Sequence, residues 1–265
     1  VRVAATLVDS YGQTLDPALE ATFTTGSVRP ALAGPGDRYV TLDPAGTKAL
    51  VVASVNLPSL DVRLFKVGPD QLLDFERLSA RYPPAGVDDL RAAFGQPVFD
   101  KAVPTKGDAD AVVDTPIDLG PALDGGLGHV VAYVAPPEAL LDKLAPDEWQ
   151  PWRRAEPVLR WVQVTELAVD AFRDGEQELV WVTRLADGRP VAGAAVSHAG
   201  VGEGATGADG IVALRLGPYA ADGSTGDRDP QRPVVARAGG DTAFTMDHGV
   251  GFRRPVRKLI IAPSG

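Results

Sequence analysis

No cysteine occurs anywhere in the sequence. That removes disulfides, thiolate zinc ligands and cysteine nucleophiles, while leaving the compartment open, because many exported bacterial domains also lack cysteine. Long apolar runs are missing too: nothing approaches the roughly 20 consecutive apolar residues of a membrane-spanning helix. No signal peptide is present. The first residue is Val1, already on a strand-like alternation. We therefore expect a piece of a longer polypeptide, so that a missing leader says nothing about location. Positive charge is in deficit, with 26 Lys and Arg against 35 Asp and Glu, a formal net charge of −9. Nucleic acid and anionic membrane surfaces both call for cationic patches, so neither is expected as a partner, and no membrane insertion is expected within the chain.

What is present in quantity is turn chemistry. The 23 prolines and 29 glycines among 265 residues suit many short strands joined by tight turns. Hydrophobic residues at 45% and charged residues at 23% are those of a folded globular chain. The length exceeds one sandwich of about 100 residues, which predicts two domains and part of a third.

Residues 159–216 carry the clearest pattern. Three apolar runs, at 159–169, 178–185 and 211–216, are rich in aromatic and β-branched residues. Asp-Gly pairs at 174–175, 187–188 and 209–210 punctuate them, as in hairpin turns. Upstream, Val1, Val3, Ala5 and Leu7 alternate with less apolar residues, and Ala21, Phe23 and Thr25 give a second strand. Further strands are expected at 39–42, 49–55, 60–67, 98–103, 111–119 and 129–134. Leu72, Phe75, Leu78 and Tyr82 recur at helical spacing before Pro83-Pro84, and 87–94 suggests a second short helix. The stretch 136–154 reads as a connector holding Trp149 and Trp152, with a helical turn at 138–144. Later strands are expected at 234–238, 242–246 and 258–261. The predicted fold is all-β: tandem antiparallel β-sandwiches with a short helical insertion in the first complete one. The units expected are a hairpin of a preceding domain at 1–33, a sandwich with connector at 34–154, and a second sandwich at 155–265.

The candidate sites are weak. Gly202-Glu-Gly204-Ala-Thr-Gly207 matches a dinucleotide-binding string, but a strand-like run follows at 211–216 where a phosphate cradle needs a helix, so it reads as a loop. The oxygen-rich 222–229 lacks calcium-loop spacing. Asp108, Asp110 and Asp114 read as an exposed turn, and Asp88-Asp89 as a solvated surface pair. His129, His198 and His248 are scattered, which favours surface or capping roles over metal binding. No G-x-S-x-G nucleophile elbow occurs. Arg253, Arg254, Arg257 and Lys258 form one basic cluster, read as a solvated tail. We expect no catalytic, cofactor-binding or metal-ligating residue, no cofactor and no enzymatic activity.

Trp161-Val-Gln-Val-Thr-Glu-Leu167, Leu179-Val-Trp-Val182, Asp187-Gly-Arg-Pro-Val-Ala-Gly-Ala194 and Thr206-Gly-Ala-Asp-Gly210 follow one another in order. Together they resemble the macroglobulin-like domains near the N-terminal side of bacterial alpha-2-macroglobulins. Phe23-Thr-Thr-Gly26, the run 51–56 and Leu60-Asp-Val-Arg-Leu-Phe65 are similar to the domain preceding. The sequence departs from the commonest pattern at Glu166, where Asp is usual, and at Gly207-Ala208. The resemblance implies a scaffold part of an exported protease trap, periplasmic or at the cell surface. There, cleavage of a bait segment triggers rearrangement, and a Cys-x-Glu-Gln thioester often captures the protease. That motif is absent from these residues. The implied partners are other macroglobulin-like domains of the same parent chain, and target proteases only through it. An Ig-like adhesion or carbohydrate-binding array is the alternative, and would need an exposed aromatic platform drawn from Trp149, Trp152, Trp161 and Trp181.

Overall fold

Strand residues with apolar side chains on alternate positions dominate the chain, and in the computed structural model they build two packed β-sandwiches. Residues 1–14, 18–24, 26–141, 156–173, 177–215 and 232–246 are described. The segment expected as the connector, with Trp149 and Trp152, lies largely outside them, as do 222–229, His248, the strand at 258–261 and the basic cluster at 253–258.

Two short strands, β1 (Arg2–Val3) and β2 (Leu19–Glu20), pair antiparallel, so the second strand of this hairpin lies just before the Ala21, Phe23 and Thr25 alternation expected to form it. The first sandwich then uses β3 (Ala31–Ala33), β4 (Tyr39–Leu42), β5 (Ala49–Val55) and β6 (Ser59–Val67). Helices α1 (Leu72–Ser79) and α2 (Val87–Phe94) follow, then β7 (Phe99–Pro104), β8 (Val113–Asp118), β9 (Gly128–Ala135), a helical turn α3 (Glu138–Leu141) and β10 (Val158–Val164). One sheet has the order β4-β10-β9-β6-β7 and the other β3-β5-β8. Leu60, Val62 and Leu64 share a face, as their spacing predicts. They meet Leu50, Val52, Ile117, Val130 and Val162 in the inter-sheet core.

The register shows where the expected boundaries move. The run 159–169 is expected to open the second sandwich. Instead Val158–Val164 closes the first, antiparallel to β9 and parallel to β4. The pair with β4 is parallel, whereas the other strand pairs of the sheets are antiparallel, as expected. Ala31–Ala33, counted with the preceding hairpin, pairs with β5 of the first sandwich. Periodicity tells which face of a strand is buried; it does not tell which neighbour supplies the hydrogen bonds.

Two residues separate β10 from the first strand of the second sandwich. Strands β11 (Leu167–Arg173), β12 (Gln177–Arg184) and, later in the chain, β15 (Ile211–Arg215) form one sheet. The other has the order β14 (Gly202–Ala205), β13 (Ala195–His198), β16 (Pro233–Ala238) and β17 (Asp241–Met246). Val180, Val182, Val196, Leu214, Val234 and Ala236 fill the space between. The glycine string is therefore mostly strand: Gly202–Ala205 pairs with β13, and only the residues after it turn. Gly204 is there for packing, since a Cβ on it would lie 2.7 Å from Val212 Cγ2, whereas Gly202 faces open space.

The Asp-Gly turns at 187–188 and 209–210 both place glycine at positive φ, +69° at Gly188 and +76° at Gly210. Gly188 faces open space, whereas a Cβ on Gly210 would come 2.6 Å from the Val182 carbonyl oxygen. Gly210→Ala should thus cost roughly 3 kcal/mol, combining backbone strain with a clash against a fixed backbone atom. Gly188→Ala should cost about 1 kcal/mol, from the left-handed conformation alone. Urea unfolding of the two variants beside the wild type measures both, and equal losses would contradict the difference.

Candidate functional site: the joint between the sandwiches

The five-stranded sheet is apolar on both faces. Its outer face presents Phe65, Val67, Val131, Tyr133 and Trp161. Helices α1 and α2 cover part of it with Leu72, Phe75, Leu78, Leu90 and Phe94, which is why the apolar residues of 72–94 follow helical spacing. Val235, Phe244 and Met246 of the second sandwich pack into the same cluster. The two sandwiches therefore share a core.

Trp161 is the centre of the joint and is fully buried. Its ring lies 5.5 Å from Phe75 and 5.7 Å from Phe244, both edge-to-face. Tyr39 bridges Phe75 and Phe244 at 5.4 Å from each. The Tyr39 hydroxyl donates to Glu76 on α1, which also pairs with Arg38. Burial, reinforced by the Glu76 hydrogen bond and charge, holds the Tyr39 phenol far above its ordinary pKa.

Polar groups inside the joint are matched across it. Gln163 takes the place of a neighbouring strand for Phe244: its Oε1 accepts from the Phe244 N–H at 3.0 Å, and its Nε2 donates to the Phe244 carbonyl at 3.0 Å. The same Nε2 donates to Thr41 Oγ1 at 2.9 Å. Asp241 Oδ2 accepts from Thr165 Oγ1 at 2.9 Å and from the Glu166 N–H at 2.8 Å, fixing the short turn between β10 and β11. His129 Nδ1 accepts from Trp161 Nε1 at 3.2 Å, and its Nε2 lies 3.0 Å from the Thr242 carbonyl. No motif in the sequence marks these residues as a site. The available signal was Gln163 itself, a polar residue on the Trp161 face of a strand whose other positions are mostly apolar.

The remaining candidates resolve into structural roles. His129 and His198, expected at the surface or in caps, are both buried: His198 points into the second core, and His129 lies on the outer face of the first sheet, which the second sandwich covers. His198 Nδ1 is 2.6 Å from Glu178 Oε2 in the second core, a pairing that satisfies two polar groups where water is excluded. Asp110 sits in the expected exposed turn. It also ties the N-terminal segment down: Oδ1 accepts from Asn56 Nδ2 at 2.7 Å and from the Val28 N–H at 2.9 Å. Those bonds, Asn56 first, lower its pKa. Asp89 caps α2 by accepting from the Gly86 N–H at 3.0 Å and pairs with Arg81, while Asp88 projects into solvent. Trp161 is unavailable as part of an aromatic platform. Trp181 is 41% exposed and Phe172 58%. Among the described residues, no group of three or more His, Asp or Glu is placed to hold a metal ion. No described helix is long and apolar enough to cross a membrane.

Chemically, this site aligns two bodies. Gln163→Leu keeps the side-chain volume but strands two backbone groups of Phe244 in a buried joint, at about 1–3 kcal/mol each. We expect a total loss of about 2–6 kcal/mol and, in calorimetry, separation of one unfolding transition into two. A variant that still melts in one unshifted transition would show that the joint does not depend on this clasp.

No family model matches the sequence, and no curated protein matches it significantly. Solved structures do. The crystal structure of native alpha-2-macroglobulin from Escherichia coli spanning domains MG0-NIE-MG1 aligns with 92% of this chain and 73% of its own, at 18% identity and a TM-score of 0.59. The structure spanning NIE-MG1 aligns with 84% of this chain and 99% of its own, at 17% identity and the same TM-score. The cryo-EM reconstruction of the native conformation of the E. coli protein aligns with 92% of this chain but only 14% of its own, at 17% identity and a TM-score of 0.52. The chain thus has the fold of the macroglobulin-like β-sandwich domains found in bacterial alpha-2-macroglobulins.

Proposed function

We propose that this chain is a structural scaffold portion of an exported bacterial alpha-2-macroglobulin-like protease inhibitor, and that it works without catalysis. The observation that carries the reading is the joint. The Trp-Val-Gln-Val-Thr motif, which resembles the family's, is the strand whose outer face fuses the sandwiches through Trp161 and Gln163. Support also comes from the pair of sandwiches aligning with nearly the full NIE-MG1 structure. A scaffold needs such a joint, because a domain that transmits a rearrangement must hold its neighbour at a fixed angle.

The N-terminal hairpin fits the same reading as part of a preceding sandwich. Leu7 and Phe23 are 58% and 66% exposed, and Tyr11 is 87% exposed, leaving apolar side chains without a core. The alignment that includes MG0 also covers more of this chain than the one without it. Bait cleavage, protease capture and export belong, on this proposal, to the longer parent.

Incubated with several endopeptidases, the 265-residue chain should leave hydrolysis of a large protein substrate unchanged. Stoichiometric protection of that substrate would overturn the scaffold reading, since trapping would then reside in these residues. Binding on a glycan array, lost on Trp181→Ala, would favour a carbohydrate-binding module instead.

A further inference from the structure

His129 hydrogen-bonds to both sandwiches at the joint, through one ring nitrogen to each. Its ring belongs to β9 of the first sandwich and stacks on Phe244 of the second, with centroids 5.7 Å apart. The indole N–H of Trp161 can only donate, so Nδ1 of His129 must be a bare acceptor. The proton of the neutral ring therefore sits on Nε2 and is donated to the Thr242 carbonyl. Both nitrogens are committed, one to each sandwich, and the arrangement exists only for the neutral tautomer.

We propose that His129 is an acid-sensitive pin, whose protonation loosens the second sandwich from the first. Adding a proton to Nδ1 would set two N–H groups against each other at a separation of 3.2 Å. Neither partner can retreat within the first sheet. Residue 129 is held in register to Val67 on one side and Gln163 on the other, and Trp161 lies on the adjacent strand. The rings behind Trp161 are Phe75 on α1 and Phe244 on β17. The first sheet's ladder does not include β17, so relief comes by moving the second sandwich.

The charges around the ring oppose one another. Asp241, at the start of β17, favours the protonated ring, but its carboxylate already accepts from Thr165, Glu166 and Thr242. Arg237 on β16 disfavours it. On the α1 and β4 side, Glu76 is engaged by the Tyr39 hydroxyl and Arg38. Burial is the largest influence, and it holds the imidazole below its ordinary value of 6.5. A ring that stays neutral in the closed joint takes up its proton first where the joint is open. Closure is thus fully favoured above about pH 6.5 and weakens as the pH falls from there toward the depressed value. The inference does not depend on the scaffold reading; it concerns the joint whatever the parent does.

The test is a pH titration of the intact chain, following the Trp161 indole N–H resonance by NMR and the molecular envelope by small-angle X-ray scattering. Trp161→Phe, which lacks that resonance, assigns it. Between pH 7.5 and 5 the indole resonance should lose its hydrogen-bonded low-field shift, and the radius of gyration should rise with the same midpoint. In His129→Phe, which keeps the stacking but cannot titrate, neither signal should move over that range. A wild-type envelope and indole resonance unchanged from pH 7.5 to 5 would overturn the proposal. So would the same transition persisting in His129→Phe. If that variant does not fold, the wild-type titration alone decides: an envelope that opens with a midpoint different from that of the His129 ring signals would also sink the idea.

Discussion

A β-sheet buried on both faces cannot stand alone, and the whole arrangement of this chain answers that constraint. Strand β9 is buried at nearly every position, so it reads as a continuous apolar run instead of an alternation. Its inner face is covered by the partner sheet of its own sandwich. The outer face is too wide for two eight-residue helices, and the uncovered remainder lies around Trp161 and His129. The second sandwich fills it with Val235, Phe244 and Met246. Burying those three side chains is worth about 1.5–3 kcal/mol each by transfer bookkeeping, which orders the two bodies relative to one another.

Apolar contact alone would allow the second sandwich to slide, because hydrophobic burial has no preferred direction. The polar groups of the joint remove that freedom. Gln163 offers an acceptor and a donor with the spacing of a peptide group, and only one position of Phe244 satisfies both. Asp241 locks the turn where the chain passes from one sandwich to the next. Each of these groups would be costly if left unpaired, so a displaced register is penalised at several points together. Stability comes from the aromatic cluster, and alignment from the amides and carboxylate.

Most of the strands were legible because the alternation was clean and the turns were marked by Gly, Pro and Asp. Residues 39–42, 49–55 and 128–135, and the second helix, lie within a residue or so of their expected places, while the first helix starts at the expected Leu72 but stops at Ser79, short of Tyr82. Allegiance was not legible. Trp161 looked like core, and it is, yet the strand that carries it belongs to the earlier sandwich, since pairing partners leave no trace in a single strand's periodicity. Gly202–Ala205 was hidden by its composition, because glycine-rich segments carry no facial pattern at all. The histidines were misplaced for a related reason. Polar residues in isolation suggest solvent, and only the fold shows that His129 and His198 each meet a partner that makes burial tolerable.

The polar groups of the joint differ in kind from those of a catalytic cleft. An active site concentrates polar groups that are left unsatisfied toward a cleft, ready for substrate. Here the buried polar side chains around Trp161 face protein partners across the joint. Gln163, Asp241 and His129 each reach from one sandwich to backbone of the other or of the turn between them. Groups consumed in that way cannot bind a substrate, but they can set an angle. An angle held by one neutral imidazole and one amide is a setting that small chemical changes can alter, while the cores on either side stay intact.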